Sequence, residues 1–213
     1  MSTVTKRAGE ILKRLKARYP STGSALDWET PWELLVATAL AAQCTDVRVN
    51  TVLPGLFERW PDVGAMAHAD VAEVEQVVRP TGFFRQKAKN LVAAAQRIVE
   101  VYGGEPPRSM AELVTLAGVA RKTANIILSN AYGINEGLAV DTHVRRLSFR
   151  LGLTGSQNPT IIEKDLMPLF PRSEWGEVNH LLVYFGRDVC AARKPKCGAC
   201  ELEDLCPKHG VAK

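Results

Sequence analysis

No run of apolar residues in this chain approaches the roughly 20 needed to cross a bilayer, so no membrane partner is expected. No stretch alternates apolar and polar residues as a half-buried strand does. Low-complexity tracts are missing, no linker marks a domain boundary, and no apolar leader is read at the start. Histidine is scarce, and His68, His143, His180 and His209 have no metal-ligand spacing. Tryptophan is scarce too, and Trp28, Trp32, Trp60 and Trp175 read as core side chains rather than stacking platforms. The formal net charge of +4 is compatible with a nucleic-acid partner without requiring one.

What is present begins with composition. The 46% of apolar residues suffices for a sizeable core in one or two domains. Four of the five cysteines crowd the chain's end as C-x6-C-x2-C-x5-C: Cys190, Cys197, Cys200 and Cys206. Disulfide frameworks suit small secreted chains, and an odd total leaves Cys44 over. Cys44 lies in the apolar run Ala39-Leu40-Ala41-Ala42-Gln43-Cys44 and reads as a buried thiol. Four close thiolates can instead surround one inorganic centre. Structural zinc usually takes two short knuckles, and only Cys197 and Cys200 form one. Ferredoxin spacings do not match either. Spacing alone leaves zinc and a four-iron cluster open.

The chain reads as all-α. Thr30-Pro31-Trp32-Glu33 offers a cap, a first-turn proline and a glutamate three residues on. Asp70 with Glu73, Ser109 with Glu112, and Thr160 with Glu163 repeat the cap-to-acid spacing. Apolar residues recur at helical intervals, as in Leu91, Ala94, Ala95 and Ile98. Gly82 after Pro80, and Gly103-Gly104 before Pro106-Pro107, mark stops. About ten helices with short connections predict a helical array. The basic segment from Met1 to Pro20, with Ile11, Leu12 and Leu15 at helical spacing, reads as a surface helix rather than a transit peptide. It is one surface on which the cysteine segment can lean.

From Ser109 to Tyr132 two helices flank a tight glycine turn. Leu113 and Leu116 close the first, Ala117-Gly118-Val119-Ala120 turns, and Arg121-Lys122-Thr123-Ala124 opens the second. Such a hairpin aims backbone N–H groups outward at a helix N-terminus, which suits a phosphate, and Gly118 lets a backbone approach. A packing element without ligand fits the same pattern. Lys122, in a first helical turn, is a phosphate contact or a nucleophile; as a nucleophile it must be neutral, which the helix dipole and neighbouring Arg121 both favour. Asp141 precedes an apolar-periodic helix and reads as its N-cap.

These segments resemble the helix-hairpin-helix DNA glycosylases, and within them the bacterial endonuclease III family. The family hairpin is L-P-G-V-G-x-K-T-A, and here Leu116-Ala-Gly-Val-Ala-Arg-Lys122-Thr-Ala124 stands in its place. The family's V-D-T-H is matched by Val140-Asp141-Thr142-His143. Its L-S-A-Q-x-T-D is matched by Leu40-Ala-Ala-Gln43-Cys-Thr-Asp46, and all four cysteines match. The likeness spans nearly the whole chain. Ala117 replaces the hairpin proline, Ala120 its second glycine, and Ala41 a serine. A methyl at Ala120 stands where phosphate would approach and where φ freedom is wanted.

The resemblance implies an all-α helix-hairpin-helix fold: a helical barrel over residues 24–135 carrying the hairpin at about 109–132, and an iron–sulfur domain from 1–23 with 136–213. It implies a [4Fe-4S] cluster on the 190–206 loop, and double-stranded DNA crossing a cleft where Lys122 and Asp141 face each other. The implied reaction removes oxidised pyrimidines. Lys122 attacks C1′, a Schiff base forms, and β-elimination nicks the strand 3′ to the abasic site, with Asp141 stabilising charge and moving protons. Gln43 would fill the vacated position. Phe83 would wedge between bases, although a core phenylalanine reads equally well. Gly118, Ala120 and Arg121 would meet phosphate at the hairpin, as would Arg193, Lys194 and Lys196 in the cysteine loop. A monomeric, cytoplasmic bacterial protein is expected, acting on abasic sites as well. Three rivals stand beside this reading. One is an abasic-site lyase with weak base release, and another is a module that only binds damaged DNA. The third, an adenine-mismatch glycosylase, lacks a lysine at the Lys122 position.

Overall fold

The structure is a computed structural model that describes residues 2–211. Among the described residues there are eleven α-helices, five single turns of 3-10 helix and no strand. None of these helices is long and apolar enough to cross a membrane. The chain forms two compact units, Ser24–Ile134 and Met1–Gly23 with Asn135–Lys213.

The first of these holds α2 (Pro31–Leu40), α3 (Asp46–Arg59), α4 (Val63–Ala67), α5 (Val71–Val78), α6 (Phe84–Tyr102), α7 (Met110–Leu113) and α8 (Arg121–Tyr132). α2 is apolar all round and is correspondingly interior: Trp32, Leu34 to Thr38, and Leu40 are buried. α6 turns Ala88, Leu91, Ala94, Ala95 and Ile98 inward against α4 and α5. It ends where Gly103 adopts φ 67°, as the Gly-Gly signal requires. α8 packs on α2 and α7.

Caps explain the helix starts. The Thr30 hydroxyl accepts from the Glu33 N–H at 3.2 Å, while the Glu33 carboxylate accepts from the Glu29 N–H. Ser109 accepts from the Glu112 N–H and donates to its carboxylate. Asp70 caps two residues on, at the Ala72 N–H, rather than through the spacing to Glu73. Thr160 is no cap at all. Asn158 takes the role, accepting from the Thr160 N–H at 2.9 Å, because Pro159 occupies the first helical position.

The other unit holds α1 (Thr3–Arg18), α9 (Thr142–Arg150), α10 (Pro159–Leu166), α11 (Trp175–Asp188) and the cysteine segment. Ala8, Ile11 and Leu15 of α1 join Leu147, Leu166, Leu181 and Phe185 in its core. The opposite, basic face of α1 holds the cysteine segment. Arg14 donates to both Asp204 carboxylate oxygens and to the Glu201 carbonyl, and Arg18 pairs with Asp188 and Glu201. Lys16 bridges Glu174 and Glu177. The first helix is therefore amphipathic by function: an apolar stripe for the core and a cationic stripe for the chain's other end.

Candidate nucleic-acid interface and thiol centre

Within Ser24–Ile134 the hairpin is pinned by alternation. Leu113, Leu116 and Val119 are buried, while Gly118 and Ala120 are exposed. α7 stops at Leu113, so Leu116 belongs to the turn, its N–H bonded to the Leu113 carbonyl. Gly118 has φ 77°, and a Cβ there would lie 2.7 Å from Asn90 Nδ2 on α6. The glycine is needed by the protein's own packing, before any ligand arrives. Ala120 has φ −90° and ψ 168°, an extended conformation that alanine adopts freely, so the expected need for φ freedom is not there. Lys122 is exposed in the first turn of α8.

Five of the seven helices in this unit start with a Ser, Thr or Asp side chain accepting from their first turn. α6 and α8 have no side-chain cap; Phe83 and Ala120 stand at their N-caps. Their first-turn N–H groups carry the positive helix end without a side-chain acceptor from the N-cap. Phe83 is 66% exposed, whereas Phe84 packs against the core, which settles which of the two phenylalanines faces inward.

Backbone strain collects at the same places. The non-glycine residues with positive φ among the described residues are Gln43 (55°), Phe83 (47°), Lys194 (52°) and Lys208 (59°). Left-handed backbone is uncommon for such residues and costs on the order of 1–2 kcal/mol each. Gln43 is exposed, and neighbouring Cys44 is half-buried against the core rather than fully buried.

One residue escaped the sequence reading. Lys87 on α6 is 7% exposed and donates to the carbonyls of Leu40 and Thr81, both at 2.8 Å. Burial pushes its ammonium below the ordinary lysine value. Its signal was present: Lys87 stands four residues before Leu91, on the apolar stripe itself.

In the other unit Asp141 is half-buried and caps α9, its Oδ1 accepting from the Val144 N–H at 2.7 Å. α9 then supplies two arginines one turn apart that the sequence reading did not single out. Arg146 donates to the Cys190 and Gly186 carbonyls. Arg150, 7% exposed, donates to Cys190 Sγ at 3.3 Å and to the Ala191 and Ala192 carbonyls. Alternating basic and apolar residues on a short helix look like a solvated face; only the fold shows these two turned inward. Arg193 and Lys194 are exposed beyond this anchor, and Lys196 leans back to within 3.8 Å of Asp188.

Cys190, Cys197, Cys200 and Cys206 line one cavity, walled also by Leu147, Phe185 and Val189. None is in a disulfide. Burial, then the neighbouring charges of Glu201 and of the other thiols, pushes the Cys200 thiol up; burial and the facing cysteines push Cys206 up likewise. Among the described residues no three His, Cys, Asp or Glu side chains close on a point as they would around a single ion. The donor set is four soft thiols lining one cavity, a set that suits a thiolate-seeking metal centre.

An exposed glycine hairpin between two helices, the second with no side-chain cap, defines a helix-hairpin-helix protein. The family model for HhH-GPD superfamily base excision DNA repair proteins matches residues 36–172. Endonuclease III of Synechocystis sp. is 55% identical over 97% of this chain and 94% of its own length. Endonuclease III of Escherichia coli K12 is 37% identical over 92% and 93%. A solved non-covalent endonuclease III–DNA complex shares 38% identity with a TM-score of 0.91, over 98% of this chain and 97% of that one. A trapped endonuclease III–DNA covalent intermediate matches over the same shares with a TM-score of 0.92. The chain belongs to the HhH-GPD superfamily of base excision DNA repair proteins, in its endonuclease III family.

Proposed function

We propose that the protein is a bifunctional DNA glycosylase and abasic-site lyase that removes oxidised pyrimidines from duplex DNA. The observation that carries this beyond family membership is Lys122: an exposed amine in the first turn of a helix that has no side-chain cap, on a glycine hairpin. A module that only binds needs the hairpin but no amine set to react.

In this reading the neutral Lys122 amine attacks C1′ and the damaged base leaves with the glycosidic electron pair. The bound amine gives up a proton, the C1′–O4′ bond opens with O4′ taking a proton, and the iminium so formed acidifies C2′. Loss of a C2′ proton expels the 3′-phosphate and nicks the strand. Asp141 is the carboxylate that balances positive charge on the sugar and carries protons. It does so while capping α9, so its position is fixed by a backbone hydrogen bond.

Gln43 and Phe83 enter the duplex when the target nucleotide leaves the stack. Their exposure and left-handed backbones support that role, because strain of this kind is kept where function needs it. Gly118, Ala120 and Arg121 approach phosphate through the α8 N-terminus, and Arg193, Lys194 and Lys196 clamp a second stretch of backbone. The four cysteines hold a [4Fe-4S] cluster. When bound, it supplies a rigid cross-link for the basic loop, which Arg150 already anchors at Ala191 and Ala192. The protein acts as a monomer in the bacterial cytoplasm.

Borohydride trapping on a duplex with one thymine glycol tests the reading. A covalent band that disappears in Lys122→Gln is expected. Tight binding with no band would refute catalysis, and a band only on a plain abasic site would favour the lyase alone. Iron and sulfide assays test the cluster; stoichiometric zinc in a colourless protein would overturn it.

A further inference from the structure

Gln43 and Phe83 are far apart in sequence and sit on separate loops, one after α2 and one before α6. Nothing local sets the distance between them. One buried side chain reaches the roots of both loops. Lys87 Nζ donates to the carbonyl of Leu40, the last residue of α2, and to that of Thr81, the last residue of the 3-10 turn Arg79–Thr81. Leu40 lies three residues before Gln43, and Thr81 two before Phe83. Both carbonyl-bearing residues are fully buried or nearly so, Leu40 at 0% and Thr81 at 2% exposure. The Lys87 backbone adds a third tie, its N–H bonded to the Phe83 carbonyl at 3.1 Å.

The segments beyond these anchor points are where the strain is. Gln43 and Phe83 are exposed and left-handed, and Gly82 between Thr81 and Phe83 has φ 71°. A strained, exposed residue keeps its conformation only if its root is held. Lysine suits the task because an ammonium offers three donors on a long stem, enough to satisfy two carbonyls that face it from different elements. A neutral apolar side chain of the same length would fill the space and leave both carbonyls buried without a partner.

We propose that Lys87 is a positioning residue for base extrusion: it fixes the spacing between the Gln43 and Phe83 loops so that both enter the duplex together. This rests on the glycosylase reading above. Lys87 itself is buried and touches no substrate, so its contribution is confined to the step in which the stack is opened. Chemistry at Lys122 is left intact once the lesion is already extrahelical.

The test compares single-turnover trapping rates of the wild type, Lys87→Met and Lys87→Arg on two substrates. One is a duplex with thymine glycol opposite adenine. The other carries the same lesion inside a mismatched bubble, where the stack is already open. Lys87→Met should slow trapping on the paired duplex by about tenfold or more, the scale on which small misplacements are felt. On the bubble its rate should stay within about threefold of wild type, while Lys87→Arg, which keeps charge and donors, recovers much of the duplex rate. Equal losses on both substrates, no loss on either, or an arginine variant no better than the methionine one would overturn the positioning role. Should Lys87→Met fail to fold, Lys87→Gln, which can serve one carbonyl, carries the same comparison. A wild type that traps on neither substrate refutes the glycosylase reading itself, and this proposal falls with it.

Discussion

Asp141 has two duties in this account, and they can be separated. Its Oδ1 accepts the Val144 N–H at 2.7 Å and starts α9; its negative charge serves the sugar. Asn keeps an amide oxygen at the same place and is as good a cap as Asp, whereas Ala removes the acceptor. Loss of an N-cap costs about 1 kcal/mol, in the range of roughly 0.5–2. Loss of the carboxylate charge at the helix start adds about 0.3–1 kcal/mol. Asp141→Ala should therefore lose about 1.5 kcal/mol. For a chain of this length, about 2–4 °C per kcal/mol gives a fall in Tm of roughly 3–6 °C. Asp141→Asn forfeits only the charge contribution and should fall by about 1–4 °C. Catalysis should follow a different order. A positioned acid–base group contributes about 10²–10⁴-fold, so both variants should lose at least roughly a hundredfold in single-turnover rate. The assay is calorimetry beside borohydride trapping on the same preparations. An asparagine variant within about threefold of wild-type rate would refute a chemical role for the carboxylate. Activity that tracked Tm across the two variants would make Asp141 a cap and nothing more.

Three further outcomes follow from the same geometry. Gly118→Ala places a methyl 2.7 Å from Asn90 Nδ2 in a backbone with φ 77°, and should cost about 1–3 kcal/mol. Adding Asn90→Ala should return the packing part but not the φ part; full recovery in urea melts would show that strain contributes nothing. Phe185→Ala, at a site 1% exposed in the core beside the cysteine cavity, should cost about 3–5 kcal/mol, read as a lower urea midpoint at unchanged slope. Acid should loosen the cysteine segment. Hydrogen bonds from Arg18 hold the Asp188 carboxyl low, and those from Arg14 do the same for Asp204. Folded-state values below the unfolded ones give stability that is present above the ordinary carboxylate range, about pH 4, and lost as pH falls through the lowered values. These pairs are exposed, so the effect should be modest and should vanish in high salt. Proteolysis of the segment that stays constant from pH 5 to about 2 at low salt would contradict this assignment.

Some features were legible in the sequence because their causes are local. A cap is decided within four residues, and Thr30, Ser109 and Asp141 cap as their neighbours predict. Thr160 was misread for an equally local reason: Pro159 fixes the first helical position and hands the cap to Asn158. The basic face of α1 was legible as a face, but not its partners, since Arg14 meets the Glu201 carbonyl across 187 positions.

The sequence by itself determined that this chain is helical, where several of its helices start and a few stop, and that four cysteines stand apart from the fifth. Periodicity, proline and glycine act through bonds a few residues long, and no tertiary partner is needed to read them. Tertiary structure alone decided which charged groups turn inward. Lys87 and Arg150 are each 7% exposed, and they satisfy carbonyls brought from 47 and 41 positions away in the interior. It also decided that Lys122 stays exposed, and that Gln43 and Phe83 take left-handed backbones. Those outcomes depend on anchors made by distant segments, and a buried carbonyl without a donor costs the same wherever in the chain its partner lies.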